Sequence, residues 1–189
     1  MAPSVFAPPK AIVALLTAIV VVFASSLNTL VFVEVPPMRQ LPRRAIAQLV
    51  SDFRRRERRL TWLGLLGWGG AVSALHFGGL AYDVYTRIWW WDLLTHVMAG
   101  VGVAGILLVG LRETVPAWTS NWWVVVAVVG IGAGFEVYEF AFKSFWHTWT
   151  LSFYLQDTLI DLAMDAVGGY VAAVLSSMLL GRTDQTATA

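Results

Sequence analysis

Asp157-Thr158-Leu159-Ile160-Asp161-Leu162-Ala163-Met164-Asp165-Ala166-Val167-Gly168-Gly169 heads the last long apolar stretch of the chain. Its three acids stand at i, i+4 and i+8. A helix turns every ~3.6 residues, so the three carboxylates lie one above another on a single face, over ~12 Å of axis. The stretch that follows is apolar enough to cross a bilayer. An ionised carboxylate there costs about 2.5–3.5 kcal/mol even on the lenient insertion scale. The rest of the chain is read for what compensates that cost.

The composition belongs to a polytopic membrane protein rather than a soluble domain: of 189 residues 58% are hydrophobic and only 13% charged, with a mean hydropathy of +0.67. The net charge of +1 says little, because eight of the thirteen Lys and Arg residues are arginines crowded between Arg39 and Arg59. With no cysteine there is no disulfide framework, thiolate metal site or cysteine nucleophile, so any metal must use His and carboxylates. Tryptophans bunch at segment ends, as in Trp89-Trp90-Trp91 and Trp122-Trp123, like the aromatic belts of interfacial regions.

Ala11 to Val33 is a continuous apolar run, long enough to cross a core ~30 Å thick. A secretory signal peptide competes for this run, but the region before it carries a single positive charge and the basic block follows it, which favours a retained helix. Pro36, Pro37 and Pro42 break the chain. From Arg43 to Arg59, Ile46, Leu49, Val50 and Phe53 recur at helical spacing among arginines, as in an amphipathic helix lying at the interface. It reads as a topology anchor or a contact for anionic lipid head groups; no base-stacking motif supports nucleic acid. The positive-inside rule makes this segment cytoplasmic. Four further spans follow, at about 60–82, 92–111, 122–142 and 157–180, which puts the N-terminus outside and the C-terminus in the cytoplasm. The expected fold is all-α: a single-domain transmembrane bundle of about five spans plus one interfacial helix, over residues 1–189, in the inner or plasma membrane.

On this topology His76, Asp92, His96, Glu136, Glu139, Asp157, Asp161 and Asp165 all fall in the outer half of the bilayer, although the acids played no part in setting the orientation. Asp92 and His96 share a face at i, i+4, and Glu136 and Glu139 share one at i, i+3. Six unpaired carboxylates would cost about 15–20 kcal/mol by the same scale. No basic residue lies inside these spans, so protonation, a water-filled cavity or a bound cation must offset them.

The bland alternatives differ by position. Asp92 and Asp157 each follow a loop, and either could be only a helix N-cap. His76, among small and apolar residues, reads as a hydrogen-bonded packing residue, and His147 as a surface residue. Depth excludes capping for Glu136, Glu139, Asp161 and Asp165. Imidazole and several carboxylates without sulfur suit a divalent metal such as Zn, Mn, Fe or Mg. The proposed ligands are Asp92, His96, Glu136, Glu139, Asp161 and Asp165, and a carboxylate left free of the metal, from Glu136, Glu139 or Asp161, would be the general base. There is no Gly-x-Ser-x-Gly elbow, Walker loop or His-Glu-x-x-His.

Trp90-Trp91-Asp92-Leu93-Leu94-Thr95-His96, then Gly134-Phe135-Glu136-Val137-Tyr138-Glu139, then Asp157 to Gly169 resemble, in order and spacing, small inner-membrane proteins of the YjdF-like family. More distantly they are similar to the VanZ-like group, whose pattern is Asp-x3-His, a Glu on the next helix, and Asp-x3-Asn or Asp followed by Gly. The resemblance covers about Trp90 to Val174 and implies one site containing Asp92, His96, Glu136, Asp161, Asp165 and Gly168. Glu139 stands where the VanZ-like pattern has Gln, and that group's Arg between the blocks is missing. VanZ-like proteins are linked with resistance to lipoglycopeptide antibiotics, but the resemblance names no reaction.

Two functional classes remain open beside a third, a structural partner subunit that uses the Gly-rich faces of spans two to four. One is a divalent-metal-dependent enzyme acting on a lipid or cell-envelope substrate. The other is a non-enzymatic protein that binds or transports protons, a cation or a polar head group. The expected partners are membrane lipids and not nucleic acid, with the Gly-rich faces of spans two to four available for oligomerisation.

Overall fold

The computed structural model describes residues 40–113 and 122–186, and no β-strand occurs among them. The expected first span, Ala11 to Val33, lies outside these residues.

The first described helix, α1, is Leu41–Phe53. Pro42 sits in its first turn, where a missing N–H costs nothing. The basic stretch is not one helix running on to Arg59. The chain tightens after Phe53, with the Arg54 and Arg55 amides donating to the Ser51 and Asp52 carbonyls, and Arg55 is extended (φ −104, ψ 122). Arg56 then opens α2, Arg56–Ala81. Asp83 turns the chain in the left-handed region (φ 53), which a short polar side chain tolerates, and the single turn α3, Val84–Arg87, follows.

α4 is Trp91–Gly110 and α5 is Trp123–Phe142. A 3₁₀ turn over Phe145–Thr148 leads to α6, Leu151–Thr186. α6 begins six residues before the expected start of the last span. The reason is local: the Thr150 hydroxyl accepts the Phe153 amide at 3.2 Å, capping a turn upstream of the acids. Asp157 is therefore inside the helix and is not its N-cap. α2, α4, α5 and the Leu151–Met178 part of α6 are long and apolar enough to cross a membrane. In hydrocarbon only a helix or a closed barrel satisfies its backbone internally, so apolar segments of this length are helical.

Small residues set the packing. α4 and α6 run side by side in the same direction and meet backbone to backbone at Gly100 and Gly168. A Cβ at Gly100 would come 2.5 Å from the Asp165 carbonyl oxygen, and one at Gly168 would strike the Val97 carbonyl and come 2.7 Å from the Val101 nitrogen. α5 runs antiparallel to α6, with Glu136 beside Thr158 and Val128 beside Gly169. α2 runs antiparallel to α4, held by the Trp68 indole donating to the Met98 carbonyl at 2.8 Å. The apolar core is Ala104, Val124, Val128, Ala166, Ala172 and Ala173, while Leu66, Phe77, Ile131 and Leu159 point outward, the inverted pattern of a bundle solvated by lipid. At Gly64, Gly67, Gly69, Gly70 and Gly78 an added Cβ would meet nothing within 4 Å, so among the described residues α2 has no close neighbour at these positions.

Candidate functional site

Parallel α4 and α6 bring the start of one beside the upper turns of the other, and the antiparallel α5 returns its last turns to the same end. The His96 ring stands at the centre of the resulting cluster. Its Nε2 is 3.7 Å from Asp92 Oδ1, one turn earlier on α4, and 3.7 Å from Asp161 Oδ1 on α6. Its Nδ1 is 3.3 Å from Asp165 Oδ1, one turn further along α6. The i, i+4 spacing of each pair is what places one acid of α6 against each ring nitrogen. The Asp161 and Asp165 side chains are almost fully buried and His96 is mostly so, whereas the Asp92 side chain keeps 38% of its surface and forms the accessible side of the group.

The two ring nitrogens have different surroundings. With the proton on Nδ1, the ring donates to Asp165 and turns its Nε2 lone pair toward Asp92 and Asp161. Neither of those acids is at hydrogen-bonding distance from Nε2. Metal bonds of about 2.0–2.2 Å to nitrogen and oxygen place neighbouring donors roughly 3–3.5 Å apart. The donor atoms of Asp92, His96 and Asp161 all lie within 4.8 Å of one another, so small side-chain movements would close this group round one ion.

Glu136 and Glu139 stand apart from that trio. Glu136 is buried, and its Oε2 accepts the Thr158 hydroxyl at 2.9 Å while its carbonyl accepts the Tyr154 hydroxyl at 3.1 Å. Its electrostatic neighbours include His96, Asp165 and Asp92. Glu139 is half-buried, with Glu136, His96, Asp92 and Lys143 as neighbours, and half-buried Asp157 has Asp92, Glu136 and His96. All six acids singled out in the sequence thus share one electrostatic field with His96. Gly132 of α5 faces the Asp165 carboxylate, which occupies the space a side chain there would need.

His76 is half-buried near the end of α2, and its Nδ1 is 2.8 Å from the Tyr85 hydroxyl of α3. That hydroxyl is 3.5 Å from Thr95 Oγ1, whose own proton goes to the Asp92 carbonyl at 2.9 Å. His76 is therefore a hydrogen-bonded residue, and its chain of bonds ends on the turn that carries Asp92. Burial, with Asp92, Glu139 and Asp161 nearby, pushes the Tyr85 hydroxyl above the usual phenol range. The Trp91 indole N–H is buried without a hydrogen-bond partner among the described residues. His147 is exposed in the 3₁₀ turn.

Sequence reasoning missed Tyr85, Thr95 and Thr158. Thr95 and Thr158 each stand next to a singled-out acid or histidine, but a lone hydroxyl in an apolar run carries no signal of its own. A second polar cluster was missed at the opposite end of the bundle. Asp52, only 1% exposed, accepts both Arg112 guanidinium nitrogens at 2.6 and 2.5 Å, the Trp62 indole at 2.9 Å and the Gln48 amide at 3.1 Å. Arg112 holds the Asp52 carboxyl far below the usual carboxylate range, and the same hydrogen bond raises the guanidinium.

The family described as Predicted membrane protein (DUF2238) matches residues 9–182, and the chain belongs to it. No match is found among curated proteins or among solved structures.

Proposed function

We propose that Asp92, His96 and Asp161 bind a divalent metal, and that the protein is a metal-dependent enzyme acting on a lipid or cell-envelope substrate. The observation that carries this is the orientation of His96: one ring nitrogen is held by the buried Asp165, and the other faces two carboxylates that do not hydrogen-bond to it. Metal-ligating imidazoles are almost always oriented in this way by a carboxylate or carbonyl on the far nitrogen. Asp165 is accordingly an orienting residue rather than a ligand. The oxygen and nitrogen donors, without sulfur, suit Zn, Mn, Fe or Mg.

Such a metal supplies a polarised substrate oxygen or an activated water. Glu136 and Glu139, outside the trio, are the candidates for proton transfer: Thr158 fixes the Glu136 carboxyl, and the less buried Glu139 is the more accessible of the two. We place the chain with the YjdF-like proteins within its family. We read the basic segment from Arg43 to Arg59 as cytoplasmic and the site as lying in the outer half of an inner-membrane bilayer. The α2 glycines that have no close neighbour among the described residues support self-association. Elemental analysis of detergent-purified protein tests the metal. Near-stoichiometric divalent metal is expected in the parent and its loss in the His96→Ala, Asp161→Ala double variant; equal content in both contradicts the assignment.

One observation favours a second reading. A His96 imidazolium among three aspartates is itself an ion cluster, and six acids in one field can hold protons or a cation without any chemistry. A role in proton, cation or head-group binding then needs no resident metal. Infrared titration of metal-free protein separates the two: carboxyl groups still protonated near neutral pH support this reading, and full ionisation of all six removes it.

A further inference from the structure

α1 is amphipathic the wrong way round. A helix packed on a protein ordinarily buries its apolar stripe and shows water its polar one. Here the buried positions are Gln48 and Asp52, and the opposite side carries Ile46, Val50 and Phe53 with 61%, 52% and 44% of their surfaces exposed. The three stand at i, i+4 and i+7, one continuous stripe.

The helix cannot roll to correct this. Asp52 is bonded to Arg112 at the end of α4, to Trp62 in the second turn of α2 and to Gln48 of its own helix, so its azimuth is fixed from two other helices. Turning the stripe inward would strip a buried carboxylate of its Arg112 and Trp62 donors and leave it only Gln48 of its own helix.

Charge identifies what meets the stripe. On a helical projection Arg43 borders the stripe, and Arg54, Arg55, Arg56, Arg58 and Arg59 cluster where α1 ends and α2 begins. All six are exposed, and among the described residues none is ion-paired. Exposed apolar side chains beside a dense arginine cluster, next to the start of a membrane-crossing helix, match the boundary of a bilayer whose head groups are anionic.

We propose that α1 docks on an anionic leaflet. Ile46, Val50 and Phe53 enter the boundary between head groups and acyl chains, the arginines hold lipid phosphates, and the Asp52–Arg112 pair sets the angle of the helix.

Because the chain has no cysteine, single-cysteine variants report unambiguously. Full-length Ile46→Cys, Val50→Cys and Ser51→Cys proteins, each carrying an environment-sensitive fluorophore, are placed in nanodiscs of phosphatidylcholine alone or with added phosphatidylglycerol. A lipid-borne quencher is then added. The expected result is strong quenching at positions 46 and 50 and weak quenching at 51. Phosphatidylglycerol should increase the first two, and that increase should disappear in an Arg54→Gln, Arg55→Gln, Arg58→Gln background that keeps its helical circular dichroism. Equal quenching at all three positions overturns the proposal. So does shielding of 46 and 50 from aqueous iodide without lipid quenching, which would mean that a second copy or the residues before Gln40 cover the stripe. Quenching indifferent to phosphatidylglycerol and to the arginines would overturn the choice of anionic lipid.

Discussion

The Asp165 carboxylate stands 3.3 Å from His96 Nδ1, across the crossing of α4 and α6. That contact decides which way the imidazole faces, and it joins two residues 69 positions apart. Substitution at Asp165 therefore separates an orienting role from a ligand role. Asp165→Asn keeps an acceptor oxygen and should retain most of the metal. Asp165→Leu removes it and should weaken metal affinity by about 10–100-fold, the usual effect of losing such a partner. Titration of metal-stripped protein with zinc or manganese measures both.

Gly168 predicts a stability effect without any change of charge. A Cβ there meets the Val97 carbonyl and the Val101 nitrogen, which are backbone atoms and cannot swing aside. Gly168→Ala should force α4 and α6 apart and destabilise the bundle by about 1–3 kcal/mol, the usual range for overpacking. A matching Gly64→Ala change, with nothing within 4 Å of its added methyl, should be neutral or mildly stabilising through helix propensity. Thermal unfolding in detergent compares the two.

The Asp52–Arg112 pair is expected to behave as a buried ion pair. Arg112→Ala leaves a carboxylate at 1% exposure facing only two neutral donors and should cost about 3–5 kcal/mol. The Asp52→Leu, Arg112→Leu double variant should lose much less, because neither charge is then stranded. Its pH dependence has a definite sign. The folded carboxyl titrates below its unfolded value, so its contribution is present above about pH 4 and is lost as pH falls below that. The protection of α1 amides, taken against the intrinsic exchange rate at each pH, should be weaker at pH 3 than at pH 6 in the parent, and that difference should shrink in the double variant.

Tyr85→Phe tests whether the His76 arm is part of the metal group. Its hydroxyl bonds to His76 and approaches Thr95 but touches no acid of the trio. The variant should keep its full metal content and lose about 1 kcal/mol of stability, the net worth of an ordinary hydrogen bond. Metal loss equal to that of His96→Ala would make the arm part of the binding group.

The helical fold and the meeting of the acids could be read from the residues because each signal was strong locally. Apolar runs of bilayer length leave few alternatives, and ionisable groups inside them at i, i+4 point to a shared face. The start of α6 was harder. Thr150 is an N-cap residue type, but the aromatic stretch before Asp157 resembled a loop, and an Asp after a loop is itself a common cap. The two rungs of the Asp ladder could not be distinguished in one dimension: Asp161 and Asp165 carry the same side chain at adjacent rungs, and only the crossing at Gly100 and Gly168 sets them beside different nitrogens of one ring. Asp52 was hidden for a related reason. Inside a run of arginines a lone acid looks solvated, and its partner Arg112 lies 60 residues away.

The claim that His96 presents Nε2 to a metal while Asp165 holds Nδ1 is most directly tested by nitrogen-15 NMR of protein labelled at its three histidines. Adding zinc to metal-stripped protein should move one Nε2 resonance and leave the Nδ1 of the same ring protonated, and the change should be absent in His96→Ala. If no histidine resonance responds to zinc, or if the ring that responds binds through Nδ1, the proposed metal site is wrong.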